Sequence, residues 1–120
     1  MTFAGYPIRG QVFEADLSGI GPKLWLVVSP NVRNRNLEDV LTVRLTTTPK
    51  KPRPSIIELD PRADAPFVGR VICDDIGPLY KDELGQPRGA LSLATMARVD
   101  RGLIAALGID LARLRSGRQA

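Results

Sequence analysis

The 120-residue sequence contains no histidine and only one cysteine. The absence of histidine removes the commonest general base, the commonest metal ligand and every catalytic arrangement that pairs histidine with serine or cysteine. A single cysteine cannot form a disulfide within the chain. Because Cys73 lies in the apolar run GRVIC, we interpret it as a small buried hydrophobic residue. Any enzymatic chemistry must therefore use other side chains.

The sequence also lacks an apolar run long enough to span a bilayer. Its first ten residues do not have the charged-then-apolar pattern of a secretory signal. We therefore expect a cytoplasmic protein that does not associate with membranes. Hydrophobic residues make up 43% of the chain, which is typical of a globular protein. The length suits one domain over residues 1–120, with a folded part over about residues 8–109 and a basic tail over 110–120.

The net charge of +4 is unevenly distributed. Residues 1–53 hold eight Lys/Arg and four Asp/Glu, whereas residues 54–75 hold two and five. This distribution is compatible with a polyanion bound on one face. On charge alone, however, ordinary solubilising charge is the better interpretation.

Much of the chain has the pattern of short strands. The clearest is LEDVLTVRLTTT, where alternation puts Leu41, Val43 and Leu45 on one face and Thr42, Arg44 and Thr46 on the other. Four further segments have strand character: QVFEADL, LWLVVS, SIIEL and VGRVICDDIGPL. Between them we expect a glycine-rich loop at SGIGP, a break at PNVRNRN, a hinge-like loop at DPRADAPF and a turn-rich segment at YKDELGQPRGALS.

One clear helix follows the strands. Ser92 can cap it and Gly108 can end it, and its apolar residues have helical spacing: Leu93, Met96, Val99, Leu103 and Leu107. The segment DLARLRSGRQA can add a turn or two. Short strands followed by a helix predict an α+β protein with a small, strongly curved antiparallel barrel and a packed C-terminal helix.

Hydroxyl-bearing and cationic residues lie side by side in VRLTTTPKKPRP, residues 43–54. A threonine hydroxyl can donate to a phosphoryl oxygen, and arginine can clamp a phosphate. The prolines keep the cationic segment extended. Taken alone, the threonines are better explained as a solvent-exposed strand end. The basic segment is as typical of a solvated hairpin tip as of a nucleic-acid contact.

Three other features have competing interpretations. Arg33 and Arg35 in RNRN can contact RNA, and a turn that uses asparagine explains this segment equally well. Asp74 and Asp75 are better explained as organising the turn that follows them than as a metal site. Trp25 can stack on a base, but in an apolar strand it is better explained as core or dimer interface.

Together, the order of these segments resembles the MazF/PemK toxin endoribonucleases of toxin–antitoxin systems. The segments that carry the resemblance are RGQVFEADL, GPKLWLVVS, VRLTTT, GRVICDDIGPLYKDELG and GALSLATMARVDRGLIAALG. The resemblance implies an SH3-like barrel and a two-fold homodimer. It also implies sequence-specific cleavage of single-stranded RNA without a metal or other cofactor, by attack of the 2′-hydroxyl. A cognate antitoxin with an extended acidic tail would block the RNA groove.

The resemblance assigns catalytic positions to Lys23 and Thr46. Members usually carry arginine where this chain has Lys23, and lysine acts as a point charge rather than as a planar fork. Lys23 can act as a base or by electrostatic stabilisation, and we favour stabilisation. No acid occurs in SGIG, so the sequence does not identify the general base. We expect RNA contacts from Arg33, Arg35, Arg44, Thr47, Lys50, Lys51 and Arg53, and no metal ligands.

Two alternatives to an RNA-cleaving toxin come from other functional classes. A CcdB-like gyrase poison has the same barrel but works through a C-terminal aromatic end, whereas this chain ends in RLRSGRQA. A non-catalytic RNA-binding module with an SH3-like barrel would need the cationic groove but not the pairing of Lys23 with Thr46. Cleavage of RNA distinguishes the toxin endoribonuclease from both.

Overall fold

The computed structural model describes residues 5–17, 19 and 21–117. Ser18 and Ile20 of the expected glycine-rich loop, and residues 118–120 of the expected basic tail, lie outside the described residues. The strands are β1 (Gln11–Ala15), β2 (Lys23–Val27), β3 (Asp39–Thr46), β4 (Ile56–Glu58), β5 (Arg70–Tyr80) and β6 (Pro87–Ala90). The helices are α1 (Asn31–Asn36), α2 (Leu93–Leu107) and α3 (Leu111–Gly117).

The six strands form one antiparallel sheet in the order β4-β5-β3-β2-β1-β6. β3 lies near the middle and pairs with β2 on one side and β5 on the other. The expected α+β class, with a barrel-like antiparallel sheet and C-terminal helices, is confirmed. Strand pairing does not close the sheet between β4 and β6 in the described residues.

Both faces of the sheet are covered by apolar side chains. Val43 and Leu45 of β3 belong to the larger core, which also contains Met96 and Val99 of α2. The opposite face carries a smaller cluster formed by Phe13, Val27, Val40, Leu79 and Leu84, with Trp25 packed against it. The predicted alternation of β3 is therefore correct, and it leaves Arg44 and Thr46 on the face away from α2.

Helix α2 begins and ends where the sequence predicts. The Ser92 side chain accepts a hydrogen bond from the Thr95 amide, and Gly108 has a left-handed φ of 66°. The predicted apolar face is correct only in its middle, because Leu93 is 90% exposed and Leu107 56% exposed. None of the helices in the described part of the chain is long and apolar enough to cross a membrane.

Asp64 joins the loop after β4 to α2. Its carboxylate is buried and accepts hydrogen bonds from the Thr95 hydroxyl at 2.6 Å and from the Ser92 and Asp60 amides at 2.8 Å. The segment DPRADAPF is therefore fixed to the helix, contrary to the expected hinge-like loop.

Two elements differ from the sequence-based expectation. PNVRNRN contains helix α1 rather than a simple break, because Asn34 is buried and bonds to the side chain and carbonyl of Ser29. β5 does not end at the acids but continues through Asp74 and Asp75 to Tyr80. The segment IGPL is therefore part of a strand and not a turn.

Candidate active site

A pocket forms where the start of β2 meets the end of β3. Leu24 pairs with Leu45 across these strands, so the next position of the register brings Lys23 opposite Thr46. Both residues line a pocket of about 250 Å³. The remaining lining residues are Pro22, Leu24, Leu45, Thr47, Thr48 and Val68. The two predicted catalytic residues therefore lie at one site, together with Thr47.

The hydroxyl of Thr46 has a defined local partner. Thr46 is the last residue of β3 and is partly buried. Its Oγ1 accepts a hydrogen bond from the Thr48 amide at 3.1 Å. A hydroxyl that accepts one bond still has its own hydrogen to donate. Thr46 is thus held in place while its donor can reach a group bound in the pocket.

Lys23 supplies positive charge to the same pocket. It is exposed as the first residue of β2, and the ion pairs found among the described residues do not include it. An ammonium group without a carboxylate partner can neutralise a phosphate directly. The exposed position of Lys23 at the start of β2 therefore suits an anionic substrate.

Arg44 lies two residues before Thr46 on the same strand face. Its Nη2 is 3.3 Å from Oδ2 of Asp75, and its Nε is buried without a hydrogen-bond partner in the described structure. A buried donor without a partner is costly. Arg44 therefore carries a buried, unsatisfied donor and is not one of the residues that line the pocket.

Arg70 of β5 binds two residues that line the pocket, Thr47 and Thr48, and no sequence motif marks it. It pairs with Thr46 across the β3–β5 ladder, and its side chain is 15% exposed. The guanidinium binds both carboxylate oxygens of Glu58 and the carbonyls of Thr47 and Thr48. The hydrogen bond from Arg70 lowers the pKa of Glu58, and the same bond raises the pKa of Arg70. No local pattern reveals this contact, because Arg70 is 23 residues from Thr47.

The basic loop after β3 leads away from the pocket. Lys50 and Lys51 are exposed. Arg53 forms an ion pair with Asp74 at 2.9 Å, and the Ser55 hydroxyl donates to the same carboxylate at 2.7 Å. The Ser55 hydrogen bond, followed by that of Arg53, lowers the pKa of Asp74. Arg53 is therefore partly neutralised, whereas the two lysines extend the positive charge.

Arg33 and Arg35 lie at the other end of β3. Arg33 donates to the carbonyl of Asp39 at 3.1 Å and forms an ion pair with its carboxylate at 2.9 Å. Asp39 and Thr46 are seven residue steps apart on the strand, which corresponds to about 23 Å. Arg35 lines a separate pocket of about 460 Å³. The structure does not bring these two arginines to the Lys23–Thr46 pocket.

Two acidic residues in the middle of β5 bind arginines. Asp74 binds Arg53 and Asp75 binds Arg44. No group of three or more His, Cys, Asp or Glu residues in the described part of the chain could hold a metal ion. The two aspartates therefore bind arginines within β5, and the turn that they were expected to organise is part of that strand.

Comparisons with known proteins give a consistent result. Residues 8–107 match the family model for the PemK-like, MazF-like toxin of type II toxin–antitoxin systems. The endoribonuclease MazF4 of Mycobacterium tuberculosis is 46% identical over 103 residues, covering 86% of this chain and 94% of the relative. A mycobacterial endoribonuclease solved in complex with its cognate antitoxin is 46% identical, with a TM-score of 0.80 over 87% of this chain and 97% of that chain.

A more distant structure shares the fold alone. The MazF chain of a MazE–MazF complex from Deinococcus radiodurans is 21% identical, with a TM-score of 0.73 over 88% of this chain and 98% of that chain. At this identity the likeness concerns backbone architecture. The open, curved sheet with C-terminal helices is therefore an arrangement that differing sequences can form.

Proposed function

The chain belongs to the PemK-like, MazF-like family of toxin endoribonucleases, and from this premise we propose that it cuts single-stranded RNA by attack of the RNA's own 2′-hydroxyl. The 2′-oxygen bonds to the adjacent phosphorus and the bond from phosphorus to the 5′-oxygen breaks. The 2′-hydroxyl loses its proton to solvent, and the departing 5′-oxygen gains one. The products are a 2′,3′-cyclic phosphate and a free 5′-hydroxyl.

This reaction makes modest demands on the protein. The nucleophile is part of the substrate, so no serine, cysteine or histidine nucleophile is needed. The protein must align the attack and stabilise the negative charge that grows on the phosphoryl oxygens. A chain without histidine is compatible with these two tasks.

Lys23 and Thr46 are suited to the developing charge. The exposed ammonium of Lys23 supplies a positive charge at the mouth of the pocket. The Thr46 hydroxyl, fixed through its oxygen by the Thr48 amide, can donate to a phosphoryl oxygen. Preorganised donors of this kind are worth about 10²–10³ in rate each. We propose electrostatic stabilisation, and not proton abstraction, as the main role of Lys23.

Neighbouring cations would hold the rest of the RNA. Arg44 lies on the same face of β3 as Thr46, and Lys50 and Lys51 continue the positive charge along the exposed loop. Thr47 lines the pocket and is exposed. We assign phosphate contacts outside the scissile linkage to these residues and to Arg53. Arg33 and Arg35 could touch only RNA that extends to the far end of β3.

The single observation that supports this function best is that Lys23 and Thr46 line the same small pocket. A cation and a hydroxyl donor on adjacent strands can both stabilise the negative charge of a pentacovalent phosphorane. An RNA-binding module would have no need of this pairing.

The test is an end-mapping assay with purified protein and a mixed-sequence single-stranded RNA in EDTA. We expect discrete cuts that carry cyclic phosphates, and no cleavage of DNA of the same sequence, because DNA lacks the 2′-hydroxyl. Thr46→Val, which keeps the strand-forming side chain, should lower the rate about 100-fold. Cleavage that requires a divalent metal would contradict the mechanism. Binding of RNA without cleavage would favour the module.

We further propose that the toxin is a homodimer controlled by a cognate antitoxin that occupies the same cationic pocket. Support for an antitoxin comes from the solved mycobacterial relative, which is described with its cognate antitoxin. Light scattering should give twice the chain mass of 13.1 kDa. Addition of an antitoxin with an acidic extended segment should protect Lys23 from chemical modification, and unchanged reactivity would argue against the shared site.

A further inference from the structure

We propose that Arg70 is a positioning residue for RNA cleavage, because it fixes the segment that carries the Thr46 hydroxyl. This inference rests on the proposed function, in which the Thr46 hydroxyl donates to the phosphoryl group. In this proposal Arg70 acts through the protein main chain and does not contact the RNA. Arg70, Glu58 and the Thr46–Thr48 segment are called the latch below.

The bonds of the latch form a continuous path. Arg70 Nη1 donates to the Thr47 carbonyl at 3.0 Å and to the Thr48 carbonyl at 2.8 Å. The amide of Thr48 in turn donates to Thr46 Oγ1 at 3.1 Å. Movement of the Thr47–Thr48 main chain would therefore move the hydroxyl. Arg70 controls that main chain from the neighbouring strand.

Glu58 holds the other side of the guanidinium. Arg70 Nε donates to Glu58 Oε2 at 2.8 Å, and Nη2 donates to Oε1 at 3.1 Å. Glu58 and Arg70 are also paired across β4 and β5. An arginine has five N–H groups, and these four bonds leave only one for any other partner. The carboxylate also neutralises the charge, so Arg70 is poorly suited to bind a phosphate.

Backbone packing at Gly69 supports the same arrangement. Gly69 has a φ of +101°, and a Cβ built on it would lie 2.2 Å from the Thr46 carbonyl oxygen. Only glycine allows the chain to approach this closely. β5 therefore begins directly against the end of β3, which places Arg70 within reach of Thr47 and Thr48.

The kinetic test uses two variants and one matched control. Arg70→Lys keeps the charge but loses the planar fork. The double variant Arg70→Gln with Glu58→Gln removes the latch without changing net charge. Arg62→Lys is the control, because Arg62 is an exposed arginine whose side chain makes no hydrogen bond in the described structure. Cleavage is measured on an RNA oligonucleotide that contains a mapped site, and binding on DNA of the same sequence at several salt concentrations.

A positioning role predicts a separation of kcat from KM. We expect kcat to fall about 10- to 100-fold in both latch variants, with KM within about threefold and an unchanged salt dependence of binding. If Arg70 contacted a phosphate, the salt slope would instead fall by about one in the double variant, which loses the cation. A raised KM with a reduced slope, or an unchanged kcat in either variant, would overturn the proposal.

Amide hydrogen exchange shows whether loss of the latch loosens only the Thr46–Thr48 segment or the whole protein. It also tests the latch independently of RNA cleavage. In Arg70→Lys the Thr48 amide should exchange several-fold faster, while the Val43 amide in the middle of β3 keeps its rate. Equal acceleration at both amides, or none at Thr48, would refute the latch. If the wild-type protein cuts no RNA, the proposed function fails, whereas this exchange measurement still decides whether Arg70 fixes Thr48.

Discussion

At one end of β3, Arg33 binds the carbonyl and the carboxylate of Asp39. At the Thr46 end, Lys23 is exposed and Arg70 binds the main chain that carries the threonines. Both ends are basic in the sequence. Arg33 is used in a local contact with Asp39, whereas Lys23 remains available to a ligand. Positive charge alone therefore does not identify a binding site; the partners of each cation and its position relative to the pocket must be considered together.

The largest expected effect is a difference in RNA cleavage between variants at the two ends of β3. Lys23→Gln should lower RNA cleavage about 100-fold because it removes a charge from the phosphate site. Arg33→Gln should change cleavage less than about threefold when assayed well below its unfolding temperature, because Arg33 is already occupied by Asp39. Both rates are measured on the same RNA. Comparable losses in the two variants would remove the distinction between the ends.

The variant Lys23→Arg distinguishes electrostatic stabilisation by Lys23 from general-base catalysis. An electrostatic role should retain activity within about tenfold of wild type, since arginine keeps the charge. A general base would be lost as fully in Lys23→Arg as in Lys23→Gln, because arginine is not deprotonated in proteins. The initial cleavage rate under identical conditions distinguishes these outcomes.

The second effect concerns stability at a site away from both ends. Asp64→Asn should destabilise the protein by about 2 kcal/mol, because it weakens three hydrogen bonds to a buried carboxylate. Burial alone would raise the pKa of Asp64, but hydrogen bonds from Thr95, Ser92 and Asp60 outweigh it, so the pKa lies below the ordinary value of an aspartate. Its contribution to stability is thus fully present above the pKa of the unfolded aspartate and is lost as the pH falls through the lowered pKa of the folded protein.

Urea unfolding of wild type and Asp64→Asn at neutral pH and near pH 3 measures this contribution. The difference in free energy of unfolding should be largest at neutral pH and should shrink in acid. RNA cleavage by the folded variant should be unchanged, since Asp64 is not among the residues that line the Lys23–Thr46 pocket. A difference that grows on acidification would contradict the sign.

The third effect is on RNA affinity along the loop. Lys50→Gln and Lys51→Gln should each weaken binding a few-fold and reduce the salt slope by about one. Single-stranded DNA serves as the ligand, because it lacks the 2′-hydroxyl and is not consumed. Arg35→Gln is the matched change at the other end of β3, and we expect it to leave the slope unaltered on a short oligonucleotide. A reduced slope there would extend the binding surface along the whole strand.

The smallest effect tests the ion pair at the Asp39 end. A double-mutant cycle with Arg33→Gln and Asp39→Asn should give a coupling energy of about 1 kcal/mol or less, because both side chains are partly exposed. Urea unfolding of the four proteins provides the energies. A coupling near zero would show that the carbonyl contact, and not the charge, fixes Arg33.

Sequence patterns predicted the elements that depend on local rules. Alternation assigned the two faces of β3, and Ser92 and Gly108 marked the ends of α2 correctly. The family resemblance was confirmed as well. The placement of Lys23 and Thr46 beside one pocket agrees with the expected site, while their catalytic roles stay predictions.

Elements held by distant contacts were not predictable in this way. Helix α1 lacks an apolar face of helical period, and buried Asn34 stabilises it through Ser29. The ends of the predicted apolar face of α2, Leu93 and Leu107, are exposed, because helical spacing alone does not show how far the packed surface extends. The strand continues past Asp74 and Asp75 because Gly77 to Tyr80 pair with Thr42 to Asp39 of β3.

The sequence by itself determined the class of the protein, the two faces of its central strand and the absence of histidine chemistry, because these follow from residue type and period. Only the tertiary structure decided which cations remain available. An arginine has the same charge whether it binds Asp39, Glu58 or solvent, and its partner is set by strands that meet after tens of intervening residues. Chain folding, rather than composition, therefore separates the exposed Lys23 from the occupied Arg33 and Arg70.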